Sequence, residues 1–253
     1  MISKVLIQRL NGEIASDVCY AAWRGFCIKG YRIEFFDWLD MKAGRVPHDR
    51  ATLVVGGMVE VNYALQSIGV APPLPLNLPD ELAAYRGRKI WTSTWDQIHR
   101  QLKAGPLDPM DPVFVKPLKA AKAFTGYVVA TLADLEPTMH LSARMELLVS
   151  ELMDFVSEWR YFVHRQEIVG VAHYQGDCLL WPDSRLVRQA VKDYERAAPI
   201  AYSIDFGLTR QGQVLLIEVN DAIALGCYGL GAVRYASMLE DRWLELTATL
   251  DGK

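Results

Sequence analysis

The chain has 253 residues, more than one domain usually carries and enough to bury a substantial core in two or three small lobes around a cleft. Hydrophobic residues make up 51% and charged residues 23%, with no low-complexity tract, which excludes disordered and fibrous classes. A net charge of −3 gives no case for bulk nucleic-acid or membrane binding, and no segment has the ~20 apolar residues needed to span a bilayer.

The first elements alternate. Lys4 to Arg9 reads as a strand, and Ser16 caps a helix that runs to Lys29 before Gly30 stops it. Tyr31 to Phe36 is a second strand, Ala51 to Val55 a third ending at Gly56-Gly57, and Glu60 to Ile68 suits a helix. Strands alternating with helices predict an open-sheet α/β lobe with parallel pairing. The N-terminus lacks the apolar run of a secretory signal, and Cys19, Cys27, Cys178 and Cys227 show neither C-x-x-C nor zinc spacing. They read as reduced thiols of a cytoplasmic protein.

Residues 71–80, A-P-P-L-P-L-N-L-P-D, hold four prolines in ten residues and do not continue regular structure. They are the expected linker between an N-terminal lobe, 1–80, and two further subdomains, a lid at 81–150 and a C-terminal part at 151–253. In the lid, Arg88 to Trp91 reads as a strand, Thr94 to Lys103 as a helix, Val113 to Lys116 as a strand stopped by Pro117, and Tyr127 to Thr131 as its return. Lys116, Lys119 and Lys122 make a positive cluster that suits phosphate oxygens and plain solvation equally well.

Glu146 to Leu152 reads as a buried strand, D-F-V-S-E-W-R-Y-F-V-H leads into another, and Glu167 to Tyr174 forms the next arm. Ser184 opens a helix to Ala198 with Val187, Val191 and Tyr194 on one side. A closing helix from Ala232 to Leu250 is apolar at Ala236, Leu239, Trp243, Leu246 and Leu250. The five histidines have no ligand spacing, and no G-x-S-x-G, Walker A or G-x-G-x-x-G sequence occurs.

Between these helices, Tyr202 to Gly229 contains two alternating runs that predict a β-hairpin turning at Gln211-Gly212. Counting from that turn puts Asp205 opposite Glu218 and Ser203 opposite Asn220, all on one face. Ile204, Phe206, Leu208, Leu215, Ile217 and Val219 share the other. Two carboxylates directly across from each other, roughly 5 Å apart at Cβ, destabilise a hairpin unless something neutralises them. No Lys or Arg of the hairpin occupies that face. A divalent cation held by Asp205, Glu218 and Asn220 would serve; a solvated edge facing water is the alternative.

The order of these features resembles the ATP-grasp superfamily: F-V-K-P, a loop and return strand, V-S-E-L-M, a Glu seven residues on, then D…E-x-N. Asp205 and Glu218 lie thirteen residues apart with Asn220 two further, the spacing of D-alanine ligase-like members. More narrowly, E-W-R-Y-F-V and E-V-N-D-A-I-A-L-G-C-Y-G-L resemble a divergent clade of bacterial and phage proteins that also includes a eukaryotic translation-initiation assembly factor. That resemblance implies an ATP-grasp fold clamping ATP between lid and base. It puts Lys116, Lys89 and Lys122 at the phosphates, Glu151, Leu152 and Met153 at adenine, and Glu158 at the ribose. Asp205, Glu218 and Asn220 would hold magnesium, and Arg160 would face the phosphates.

Two positions depart from the superfamily pattern: the lid loop has one glycine, Gly126, and Ser203 replaces a frequent Arg two residues before the metal Asp. Arg160 or Arg210 would then supply the missing charge. The implied activity is ATP-dependent ligation of a carboxylate to an amine through an acyl phosphate, with a peptide or protein as a candidate acceptor. Lys116 and Arg160 would be its catalytic cations, with Asp221 and Tyr228 at the acceptor side. The alternatives are a nucleotide-binding assembly factor without turnover and a phosphotransferase.

Overall fold

The structure, a computed structural model, describes residues 1–104, 111–119 and 123–248. Among the described residues there are three four-stranded sheets, each with its own hydrophobic core. The first contains β1 (Lys4–Leu10), β2 (Glu13–Ile14), β3 (Ile33–Asp37) and β4 (Thr52–Val55). β3 and β4 flank β1 in parallel, as the alternation of strand and helix predicts, and β2 folds back antiparallel through Asn11-Gly12. α1 (Asp17–Ile28) is capped by the Ser16 hydroxyl, which accepts from the Cys19 amide. α2 (Trp38–Lys42) was not expected, and α3 (Met58–Ser67) starts directly after Gly56-Gly57.

The proline-rich linker is strapped down on both sides. Asn77 takes the Val219 amide on its carbonyl and gives its side-chain amide to the Leu118 carbonyl. A 3₁₀ segment, Asp80–Tyr85, follows and buries Leu82 in the second core.

The second sheet, ordered β5-β8-β6-β7, consists of β5 (Ile90–Thr94), β6 (Val113–Pro117), β7 (Tyr127–Val129) and β8 (Glu146–Glu151), all antiparallel. α4 (Trp95–Ala104) covers one face through Trp95 and Ile98, which pack on Val113, Val115, Val129, Leu147 and Val149. The opposite face looks into a cleft.

The third sheet, ordered β10-β9-β11-β12, consists of β9 (Phe155–His164), β10 (Glu167–Gly176), β11 (Ala201–Thr209) and β12 (Val214–Asp221). Trp159, Tyr161, Val163, Ile204 and Phe206 bury one face under α5 (Ser184–Tyr194). On the other face Phe162 enters the first core, Glu158 lines a cleft, and Arg160 lies buried between them. α6 (Ala232–Thr247) is last in the chain yet packs in the first core, with Tyr235, Leu239 and Trp243 buried beside Phe26 and Leu6. Of the apolar positions assigned to it, Leu250 lies outside the described residues. No described helix is long and apolar enough to cross a membrane.

The hairpin pairs Ser203 with Asn220 and Asp205 with Glu218, as counted from the turn. Beyond Asp205 the count fails. Phe206 pairs with Leu216 rather than Ile217, so Ile217 is the extra residue of a β-bulge. The side-chain alternation resets there: Leu216 is fully buried in the second core, and Ile217 lines the cleft beside Glu218.

Candidate active site

The cleft between the second and third sheets has a volume of about 450 Å³, within the usual range of small-ligand sites. One end is apolar: Leu78, Phe114, Leu148, Met153, Phe155 and Ile217. Gly207 makes this end possible, because a Cβ there would stand 2.2 Å from a ring carbon of Phe155. Glu151, Leu152 and Met153 line the connection between β8 and β9. Glu151 is fixed by two backbone links to Lys89: its carboxylate accepts from the Lys89 amide at 2.9 Å, and its own amide donates to the Lys89 carbonyl.

The other end is charged. Glu158 and Arg160 stand two apart on β9, Asp205 lies across from Arg160 on β11, and Glu218 lies across from Asp205 on β12. Arg160 forms a bidentate pair with Asp205, at 2.9 and 2.7 Å, and its Nη2 is 3.8 Å from Glu218. From β6 of the second sheet, Lys116 reaches across the cleft to Glu218 at 2.8 Å. Asn220 donates to the second oxygen of Glu218 at 2.8 Å.

The two carboxylates are therefore already answered. The hairpin holds no cation for them; the cations come from β9 and from the lid. Burial works against charge on Arg160, but the Asp205 pairing holds it above its ordinary value. Burial pushes the Asp205 carboxyl up to about 6 while Arg160 pulls it back, and so tight a pair titrates as a unit. Burial also acts to raise Glu218, yet Lys116, Asn220 and Arg160 together hold it below the ordinary carboxylate range. Glu158 is raised, chiefly by burial.

Other expected site residues fall elsewhere. Lys89 is exposed with its ammonium over the Trp91 ring, and its neighbour Arg88 lines the cleft instead. Lys119 pairs with Glu146 at the exposed surface, and Lys122 lies outside the described residues. Arg210 pairs with Asp154, both largely exposed, and does not reach the charged end. Asp221 is not free for an acceptor: Arg242 of α6 grips it at 2.9 and 2.6 Å, and it caps the following 3₁₀ turn.

Sequence reasoning missed Arg88 and Tyr174. Arg88 donates to the carbonyls of Leu216 at 2.7 Å and Arg86 at 3.0 Å, and burial lowers its pKa. Among the described residues it has no carboxylate partner. Tyr174 lies across β10 beside Glu158 and lines the cleft. The turn Arg165-Gln166 would set Glu158 opposite His173, but two bulges in β10 shift that partner to Gln175. Tyr174 sits within the second bulge, where no count from the turn places it.

Asp205, Glu218 and Asn220 offer hard oxygen ligands, which suit magnesium. Among the described residues no three His, Cys, Asp or Glu side chains converge as a complete metal cage. Magnesium needs none when a polyphosphate supplies the remaining ligands. Glu218 fits that demand once Lys116 turns to the phosphates, with Asn220 beside it, and Asp205 fits once Arg160 turns away.

A comparison with curated protein sequences finds no significant match. Solved structures share the architecture along nearly the whole chain. An ATP-grasp RimK domain protein from Sphaerobacter thermophilus superposes with a TM-score of 0.60 at 14% identity, covering 95% of this chain and 99% of its own. The D-alanine–D-alanine ligase of Bacillus anthracis gives 0.57 at 11% identity, with 96% and 97% covered. The VanG D-Ala:D-Ser ligase of Enterococcus faecalis gives 0.54 at 13% identity, with 96% and 100% covered. Likeness at such identity establishes the fold. The sequence itself matches the ATP-grasp domain of the R-2-K clade, family 2, over residues 85–238, which include the second and third sheets and every cleft residue but Leu78. With that match over more than half its length, the chain belongs to the R-2-K clade of ATP-grasp proteins.

Proposed function

We propose that this protein is an ATP- and magnesium-dependent carboxylate–amine ligase that forms an acyl phosphate and releases ADP. The observation that carries the reading is the meeting of Lys116 and Glu218 at one end of a cleft whose other end is apolar, with the buried Arg160–Asp205 pair set against Glu218. Adenine would lie between Phe114, Phe155, Ile217 and Met153 with the backbone at 151–153 on its edge, and Glu158 would take the ribose hydroxyls. The triphosphate would then run toward Lys116.

In the resting site Lys116 and Arg160 each sit on a carboxylate, so those charges balance without ligand. A polyphosphate gives Lys116 and Arg160 new partners, and Glu218, Asn220 and Asp205 become available to a hard cation. Magnesium, when bound there, would neutralise the triphosphate and orient its γ-phosphate. Lys116 and Arg160 would stabilise charge on the transferring phosphoryl group. In that step an acceptor carboxylate oxygen bonds to phosphorus as the bond to the β-phosphate oxygen breaks. An amine then attacks the acyl carbon, phosphate leaves, and the amine nitrogen loses a proton. The ligases among the structural neighbours are consistent with this chemistry, and a peptide or protein acceptor is the finer part of the proposal. A cytoplasmic setting would supply the nucleotide.

One observation favours a second reading, a nucleotide-binding assembly factor without turnover. The Arg160 side chain is 9% exposed and tied to Asp205, so the cation needed for transfer is withheld in the resting state. Incubation with labelled ATP, magnesium and a pool of metabolites and peptides separates the two. The ligase reading expects ADP and phosphate that appear only with an acceptor. AMP and pyrophosphate would rule out attack at the γ-phosphate. Tight binding without turnover on any acceptor would favour the assembly factor.

A further inference from the structure

Arg160 carries a cover that nucleotide binding alone does not explain. The ring of Tyr228 lies over its guanidinium, 4.6 Å to the centroid, and Tyr174 flanks it at 6.0 Å. The two rings meet edge to face at 5.9 Å. Tyr228 itself is 50% exposed, so one side of it rests on the cation and the other faces solvent.

The chain accepts an unfavourable backbone to place this ring. Tyr228 has φ 41°, in the left-handed region that aromatic residues rarely occupy. Gly226 leaves the space that the ring fills: a Cβ there would stand 2.6 Å from Cε2 of Tyr228. Both flanks are anchored, by the Tyr235 hydroxyl donating to the Leu225 carbonyl and by the Leu230 amide donating to the Cys227 carbonyl. Such strain persists where the surroundings over-determine it, and it clusters at functional sites. A half-exposed tyrosine with no task would relax.

We propose that Tyr228 is a positioning residue for Arg160. Its ring face holds the guanidinium beside Asp205 and Glu218, at the phosphate end of the cleft, and keeps water from it. Recognition of the γ-phosphate then depends on Tyr228, although Tyr228 is not required to touch the nucleotide. The contact uses the ring and not the hydroxyl. This inference rests on the nucleotide-binding reading above.

Calorimetric titration of the full chain with Mg-ADP and with the magnesium complex of the β,γ-imido analogue of ATP tests it, because the ratio of the two dissociation constants isolates the γ-position. Wild type should prefer the analogue. Tyr228→Ala and Gly226→Ala should each lose tenfold or more of that preference while Mg-ADP binding stays within twofold. Tyr228→Phe should keep it. Arg160→Lys should lose as much as Tyr228→Ala, and the double variant no more than either alone. Equal loss for both ligands in Tyr228→Ala would make the residue merely structural, and full retention of the preference would also overturn the proposal. If wild type binds Mg-ADP without preferring the analogue, Arg160 has no γ-phosphate role and the inference falls while nucleotide binding stands. If wild type binds neither, the nucleotide reading fails and this inference with it.

Discussion

At the scale of residues, the two ion pairs of the cleft differ in what they hold. Asp205 is 1% exposed under a bidentate Arg160, and removing one partner of a buried pair strands the other. Asp205→Ala should therefore cost about 3–5 kcal/mol of stability, measured by denaturant unfolding of the nucleotide-free chain. A loss below about 1 kcal/mol would mean that water reaches Arg160 freely. Lys116 and Glu218 are more open, at 15% and 27%, and their pairing bridges the lid to the base. Lys116→Met should weaken ATP far more than adenosine, because the lysine faces the charged end and not the apolar one. Equal losses for the two ligands would show that Lys116 serves the fold. Glu218 would carry the magnesium dependence, which Glu218→Gln should abolish in the same titrations.

At the scale of elements, the bulge at Ile217 does most to shape the site. It turns Leu216 into the core, gives Ile217 to the cleft and keeps Glu218 level with Asp205. Arg88, just ahead of the first lid strand, holds that bulge by its carbonyls. Arg88→Met should leave those carbonyls without their donor and cost about 1–3 kcal/mol, and it should weaken magnesium-dependent binding through Glu218. Unchanged binding beside unchanged stability would remove Arg88 from this role. The hairpin also shows what the sequence makes legible. Asp205, Glu218 and Asn220 could be placed by counting because two shifts cancel: Thr209 closes the turn on Gln213, one residue out of the counted register, and the bulge at Ile217 restores it. Tyr174 and Leu216 could not, because a bulge adds a residue without leaving a period-two signal. The partners of the carboxylates were hidden for another reason: Arg160 and Lys116 lie on strands brought in by tertiary pairing, 45 and 102 residues away in sequence. Similarly, α6 was readable as an amphipathic helix, but nothing in its pattern said that it would close the first core.

At the scale of the whole molecule, the lobes are tied by a few long-range contacts. Asp241 on α6 accepts from Arg165 at 2.7 Å and pairs with His164 at 2.6 Å, joining the third sheet to the first core. Burial acts to raise its pKa, but Arg165 and His164 outweigh it and hold the carboxyl below the ordinary range. A carboxyl lowered in the folded state adds stability above its unfolded pKa, about 3.9, and loses it as pH falls toward the folded value. Asp241→Asn should thus unfold at a lower temperature than wild type at pH 7, and the gap should narrow below about pH 4. A gap that stays constant with pH would mean the ionised carboxylate is not the tie. The central claim concerns the cleft that these ties frame: that its charged end receives Mg-ATP. Thermal unfolding of the wild-type chain with and without Mg-ATP tests this most directly. The account predicts a rise in unfolding temperature that needs both magnesium and the triphosphate, equivalent to about 2.7 kcal/mol at 100 times the dissociation constant. An unfolding temperature that Mg-ATP leaves unmoved, or that adenosine raises as far without magnesium, would contradict it.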